Sequence, residues 1–135
     1  MSLSRNIKRA LALGGVTLSL VVVAPASAQA ASATAYTSPS RYGNASFNTS
    51  TGVLTIRDTN ADGYRIVATV WNMTYGLGLD IADGEDANGS NNTPGYATAY
   101  RGSYYSGNEL VIEVCRLDVS NGGGYQSCGS TSFIV

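Results

Sequence analysis

The chain has 135 residues, no histidine, one lysine and two cysteines, with a formal net charge of −1. Arg5, Lys8 and Arg9 sit near the N-terminus, so beyond Ala30 five arginines face nine carboxylates, a net charge of −4. That balance excludes a phosphate-tracking surface, which argues against nucleic acid or anionic membrane as partner, and the missing His and Lys remove the usual bases for an activated Ser or Thr.

The first thirty residues carry Arg5, Lys8 and Arg9, then a mostly apolar run from Ala10 to Ala24, then Pro25-Ala26-Ser27-Ala28-Gln29-Ala30. A cationic start, an apolar centre and a small-residue site in that order predict a signal peptide over 1–30, cleaved after Ala30. The apolar run falls short of the ~20 residues of a membrane anchor, so the mature protein is expected to be secreted, extracellular and free of the membrane. Residues 31–42 are Ala, Ser, Thr and Pro with Tyr36, Arg41 and Tyr42, a composition that buries little and predicts a flexible N-terminal arm. The remaining residues, 43–135, are expected to form one β-sandwich domain.

Val53 to Asp58 and Tyr64 to Trp71 are β-branched and aromatic runs separated by turn residues, and together they predict a hairpin. Within the turn, Asp58-Thr59-Asn60-Ala61-Asp62-Gly63 matches the first half of a calcium loop, which makes Asp58, Asn60 and Asp62 candidate metal ligands. Position twelve of that loop is Thr69 rather than a bidentate Glu, so a turn built on Asx hydrogen bonds is the stronger explanation, and no cofactor is expected. From Gly76 to Gly95, glycines, asparagines and four carboxylates predict a surface loop with at most a short strand at Gly78 to Ile81. Asp80, Asp83, Glu85, Asp86, Glu109 and Glu113 would supply any carboxylate pair for glycoside hydrolysis. Solvated turns account for most of them, and the chain is expected not to be an enzyme.

Tyr96 to Tyr105 reads as a strand, in which Tyr96, Tyr100 and Tyr104 would share one face at intervals of ~13 Å as a stacking platform for sugars or a protein partner. Tyr105 would lie on the other face, in the core. Glu109 to Val119 and Tyr125 to Val135 predict a final hairpin, with Cys115 opposite Cys128, Val119 opposite Gly124 and a four-residue turn at Ser120 to Gly123. An even pair of cysteines in an exported chain predicts one disulfide. With no segment of helical period, these strands predict an all-β fold: a small antiparallel β-sandwich of immunoglobulin-like, Greek-key type, with a small barrel as the alternative. Trp71 precedes both cysteines, so the Cys–Trp–Cys order of a true immunoglobulin domain is absent.

The run from Gly52 to Ala68, with Val114-Cys115-Arg116-Leu117 and the closing Cys128, resembles small secreted actinobacterial proteins that carry a D-T-x-A-D-G hairpin and a C-terminal disulfide. Proteins of this type include adaptor subunits of secreted umbrella toxin particles. The resemblance implies two protein-binding surfaces and no catalysis. The chain departs from the pattern at Ile56 and Arg57, where relatives are expected to place a further cysteine. Composition and resemblance together predict a secreted, non-catalytic module that binds other secreted proteins, as an adaptor in an extracellular assembly. Tyr36, Tyr42, Tyr96, Tyr100 and Tyr104 are the candidate binding residues. A secreted inhibitor of a protease or amylase, and a carbohydrate-binding module using the tyrosine stripe, are the alternatives.

Overall fold

Where apolar side chains recur at every second residue, a strand can bury one face and leave the other to solvent. A computed structural model describes residues 31–74, 76, 78–90 and 93–135, and the expected signal peptide lies outside them. The strands are β1 (Ser32–Tyr36), β2 (Gly43–Asn48), β3 (Val53–Asp58), β4 (Arg65–Asn72), β5 (Leu79–Asp86), β6 (Gly95–Thr98), β7 (Glu109–Asp118) and β8 (Gly124–Ile134). They form two antiparallel sheets of four strands, ordered β1-β2-β3-β6 and β5-β4-β7-β8. The protein is a small β-sandwich. Its non-consecutive neighbours, β3 with β6 and β4 with β7, are the crossovers of a Greek-key arrangement.

The inward positions of the first sheet bring Ala35, Ala45, Phe47, Leu54 and Ile56 onto Ile66, Ala68, Val70, Ile81, Leu110, Ile112 and Val114 of the second. Both pairs of sheet edges also meet. A side chain at Gly95 would overlap the carbonyl of Glu85, and one at Gly129 would overlap the carbonyl of Tyr36. Beside Gly129, the Ser38 N–H donates to the Ser127 carbonyl at 3.0 Å and the Thr131 hydroxyl donates to the Thr34 carbonyl at 3.2 Å. Strand edges that would otherwise offer a row of unpaired amides are therefore covered by the opposite sheet.

Four expectations about the strands need correction. Residues 31–42 are not a free arm: β1 pairs with β2 from Ser32↔Asn48 to Tyr36↔Asn44, and Ala35 is buried in the core. Small side chains suit this edge, where the sheets converge. β3 and β4 do not form a hairpin, because β4 belongs to the other sheet and residues 59–64 arch between the two. The acidic loop contains an eight-residue strand, β5, whose pairing along β4 outweighs its poor intrinsic propensity. The strand expected over 96–105 stops at Thr98, since a turn closed by the Ser103 N–H on the Tyr100 carbonyl, with Gly102 at φ 77°, carries the chain away.

The final hairpin matches the expected pairing up to Val114↔Gly129 and then shifts by one residue, so that Arg116 faces Gln126 and Asp118 faces Gly124. A β-bulge absorbs the shift: Ser127 and Cys128 lie opposite Cys115, and Ser127 takes a φ of 50°. The two cysteines are bonded, with Cα atoms 4.1 Å apart. The turn thus spans residues 119–123, one more than expected. Asp118 organises it, accepting from the Asn121 side chain at 2.7 Å, the Ser120 hydroxyl at 2.7 Å and the Ser120 N–H at 3.1 Å. Those bonds, the Asn121 amide first, hold its carboxyl below the usual carboxylate range.

Two outcomes test this architecture. Replacing Cys115 or Cys128 by Ser should destabilise the fold by about 2–5 kcal/mol, measured by urea unfolding, and mass spectrometry of the non-reduced protein should find no alkylatable thiol. Gly129→Ala should cost about 1–3 kcal/mol because a methyl meets the Tyr36 carbonyl, whereas Gly124→Ala, with nothing within 4 Å of the added carbon, should stay within about 0.5 kcal/mol of the parent.

Candidate functional site

The central strands β4 and β7 carry apolar residues on both faces. Ile66, Ala68, Val70 and Leu110, Ile112, Val114 point into the core, while Val67, Trp71, Val111 and Leu117 point outward and remain half-buried. Continuous apolar runs of this kind normally mark strands covered on both sides. Here the outward side is open among the described residues, and it forms a groove of two adjoining depressions, ≈460 Å³ and ≈400 Å³, that share Trp71 and Glu113.

Register orders the groove into rows across the sheet. Glu85, Val67 and Cys115 are lateral partners, and the cystine continues that row to Cys128. The next row is Asp83, Thr69, Glu113 and Ser130. The third is Asp80, Trp71, Val111 and Ser132, with Met73 at the far end. Leu117 and Tyr125, lateral partners, close the near end. On β4 and β7 two apolar pairs therefore flank a polar one, with Glu85 and Asp80 of β5 at the ends of the outer rows, and Asp83 and Glu113 bracket Thr69 at about 10 Å between their strands.

The electrostatics of this face are one-sided. Arg65 is its basic residue, and its guanidinium is paired with Glu85 at 3.1 Å. Asp83 and Glu113 have no ion-pair partner among the described residues. Burial, then the proximity of Asp83, pushes the Asp80 carboxyl above its usual range. Glu113 also lies beside both cysteine sulfurs, but these are bonded to each other and offer no thiolate to a metal. The outward face of the other sheet differs in kind, with Thr34, Ser46, Thr55 and Tyr96 in one row and Tyr36, Asn44 and Arg57 in another.

The five candidate tyrosines do not share one surface. Tyr96 and Tyr100 are exposed, at 65% and 68%, but Tyr100 follows the end of β6. Tyr104 turns inward: its ring meets Phe47 edge-on at 5.6 Å and its hydroxyl donates to the Thr49 carbonyl at 2.7 Å. The expected platform of Tyr96, Tyr100 and Tyr104 is therefore absent, and Tyr105, expected in the core, is exposed. Tyr36 lies on the outward side of β1 with the Arg41 guanidinium 4.5 Å from its ring. Tyr42 stacks on Arg116, which is held between the rings of Tyr42 and Tyr64 at 3.9 Å from each.

Asp58, Asn60 and Asp62 are brought together, but as a hydrogen-bonded arch. Asp58 Oδ1 accepts from the Asn60 N–H at 2.9 Å, and Asp62 Oδ1 accepts from the Tyr64 N–H at 3.1 Å. Asp62 Oδ2 takes the Asn60 side-chain amide at 2.8 Å and the Arg116 guanidinium at 2.6 Å. The backbone N–H groups of Asn60 and Tyr64, each bonded to the aspartate two residues before, make this segment the pair of Asx turns expected of it.

Asp58 itself is buried, and its Oδ2 has no hydrogen-bond partner. Burial above all, together with nearby Asp62 and Asp86, raises its pKa. A folded-state pKa above the unfolded one means that stability is lost as pH rises from the ordinary value of 3.8 through the raised value. Asp58→Asn keeps the Oδ1 acceptor and removes this ionisation. Urea midpoints should favour the variant at neutral pH, with the gap closing on acidification; a gap that widens in acid would refute the assignment.

The apolar residues of the groove were missed from the sequence, although apolar residues on both faces of β4 and β7 are the signal that marks them. Comparison of the chain with protein-family models, with curated proteins and with solved structures finds no match to any of them.

Proposed function

We propose that this chain is a secreted, non-catalytic module that holds another protein on the outward face of the β5-β4-β7-β8 sheet. One observation carries the proposal: Val67, Trp71, Val111 and Leu117 lie together with the cystine on a face that stays open among the described residues. Apolar surface left in water forgoes about 25 cal/mol per Å² that a partner would recover, and contiguous patches of it mark interaction sites. Trp and Tyr at the middle and end of such a groove are the side chains that dominate protein interfaces.

An adaptor needs a second surface, and the exposed Tyr36 and Tyr96 on the opposite sheet supply one of different, hydroxyl-rich character. The resemblance to umbrella-particle adaptors supports that role, and the cystine accords with an oxidising compartment. Inhibition of a hydrolase has less support, because residues 80–86 of the expected acidic surface loop are part of the paired strand β5. A sugar platform has less support still, since Tyr96, Tyr100 and Tyr104 do not line up.

Affinity capture of the tagged mature protein from the producing cell's culture medium tests the proposal. The parent should retain a stoichiometric protein partner, and Trp71→Ala should weaken retention at least tenfold with the circular dichroism unchanged, as expected when a central aromatic anchor is removed. Equal retention by Trp71→Ala and parent would sink the assignment of the face.

A further inference from the structure

We propose that the groove takes an extended segment of the partner whose alternate side chains run apolar, basic, apolar. This inference rests on the protein-binding function just proposed and names the chemistry of what is bound. Along the strand direction the groove presents the Val67 and cystine row, then the Asp83, Thr69 and Glu113 row, then the Trp71 and Val111 row. Successive rows lie two residues apart, roughly 7 Å, which is also the spacing of side chains i and i+2 in an extended chain. A segment lying along the strands can therefore set one side chain into each row.

Charge decides the middle position. Asp83 and Glu113 flank Thr69 from the two neighbouring strands, and no cation of this chain reaches them among the described residues. Arg65, the nearest basic residue by register, is committed to Glu85. Beyond Ala30 the chain has no lysine, and among the described residues none of its five arginines forms an ion pair with Asp83 or Glu113. A Lys or Arg fits it in both parts, the alkyl stem lying against Thr69 and Trp71 and the charged head reaching either carboxylate. An acidic segment would bring a third negative charge between two others.

Trp71 is the one tryptophan of the chain, so its emission reports occupancy directly. The probes are the capped peptide Ser-Leu-Ser-Lys-Ser-Leu-Ser, the same peptide with Glu for Lys, and octylamine, each titrated into the mature protein. The Lys peptide should shift the emission saturably, bind at least tenfold more tightly than the Glu peptide, and lose most of that preference when salt is raised from roughly 0.05 M to 0.5 M. The double variant Asp83→Asn with Glu113→Gln, both exposed positions, should bind the two peptides alike. Equal binding of both peptides to the parent, or a preference that survives in the double variant, would overturn the inference. So would octylamine binding as tightly as the Lys peptide, since the site would then fit a small amphipathic cation. If the captured partner is lost by Trp71→Ala but kept by the double variant, the charge pattern is wrong while the binding function stands.

Discussion

At Gly95 and Gly129 the backbones of the two sheets approach so closely that only a hydrogen fits beside the carbonyls of Glu85 and Tyr36. Much else follows from those two contacts. Because the sheets converge at both edges, the points of closest approach admit only glycine, and the small residues Ala35, Ala82 and Ala97 stand on the strands concerned. The bulky residues Phe47, Leu54, Ile56, Leu110 and Ile112 lie on the middle strands, and Ile81 of β5 joins them from the edge. Closed edges also remove strand addition as a way to bind a partner. What remains for recognition is the two outward faces, and these have diverged in chemistry.

The cystine belongs to this division. It does not brace the core: strand alternation puts the Cys115 sulfur on the outward side of β7 with Cys128 bonded to it, and the pair lines the groove beside Val67 and Glu113. A covalent link across the floor fixes the relative position of two of the four strands that build the site. Such a site loses little freedom when it is occupied, which favours affinity without adding a contact. Reduction would therefore be felt twice, as lower stability of the hairpin and as a looser groove.

How much of this was legible in the sequence varied with the source of each strand's stability. β3, β4 and β7 are rich in β-branched residues that announce them, and β8 is announced by the turn and the cysteine that set it opposite β7. β1 and β5 do not: Ser32-Ala33-Thr34-Ala35-Tyr36 and Leu79-Asp80-Ile81-Ala82-Asp83-Gly84-Glu85-Asp86 become strands because a neighbour of high propensity offers them partners. Tertiary pairing of that sort leaves no local trace. The disulfide was legible because two cysteines have one way to pair, while the one-residue shift beside it was not, since Ser127 carries no bulge signature. The tyrosine stripe failed for a different reason: a turn containing Gly102 diverts the chain, and Tyr104 packs on Phe47, ten residues' worth of assumed alternation having been interrupted by one turn. The groove lay hidden in plain composition, because an apolar run suggests two covered faces and says nothing about which covering belongs to another molecule.

An apolar groove at the centre of an exposed sheet poses a problem of its own, since a second copy of the same face is the nearest apolar surface available in solution. The polar row answers it. A two-fold pairing of two such grooves would set Asp83 and Glu113 of one copy against Asp83 and Glu113 of the other, in a contact from which water is largely expelled. Four carboxylates with no arginine free to join them, Arg65 being held by Glu85, would oppose the association that Trp71 and Val67 favour. The same row that discourages self-pairing rewards a partner bearing a cation at that height. Selectivity in this face thus comes from where its charges stand among its apolar residues, more than from how much apolar area it exposes.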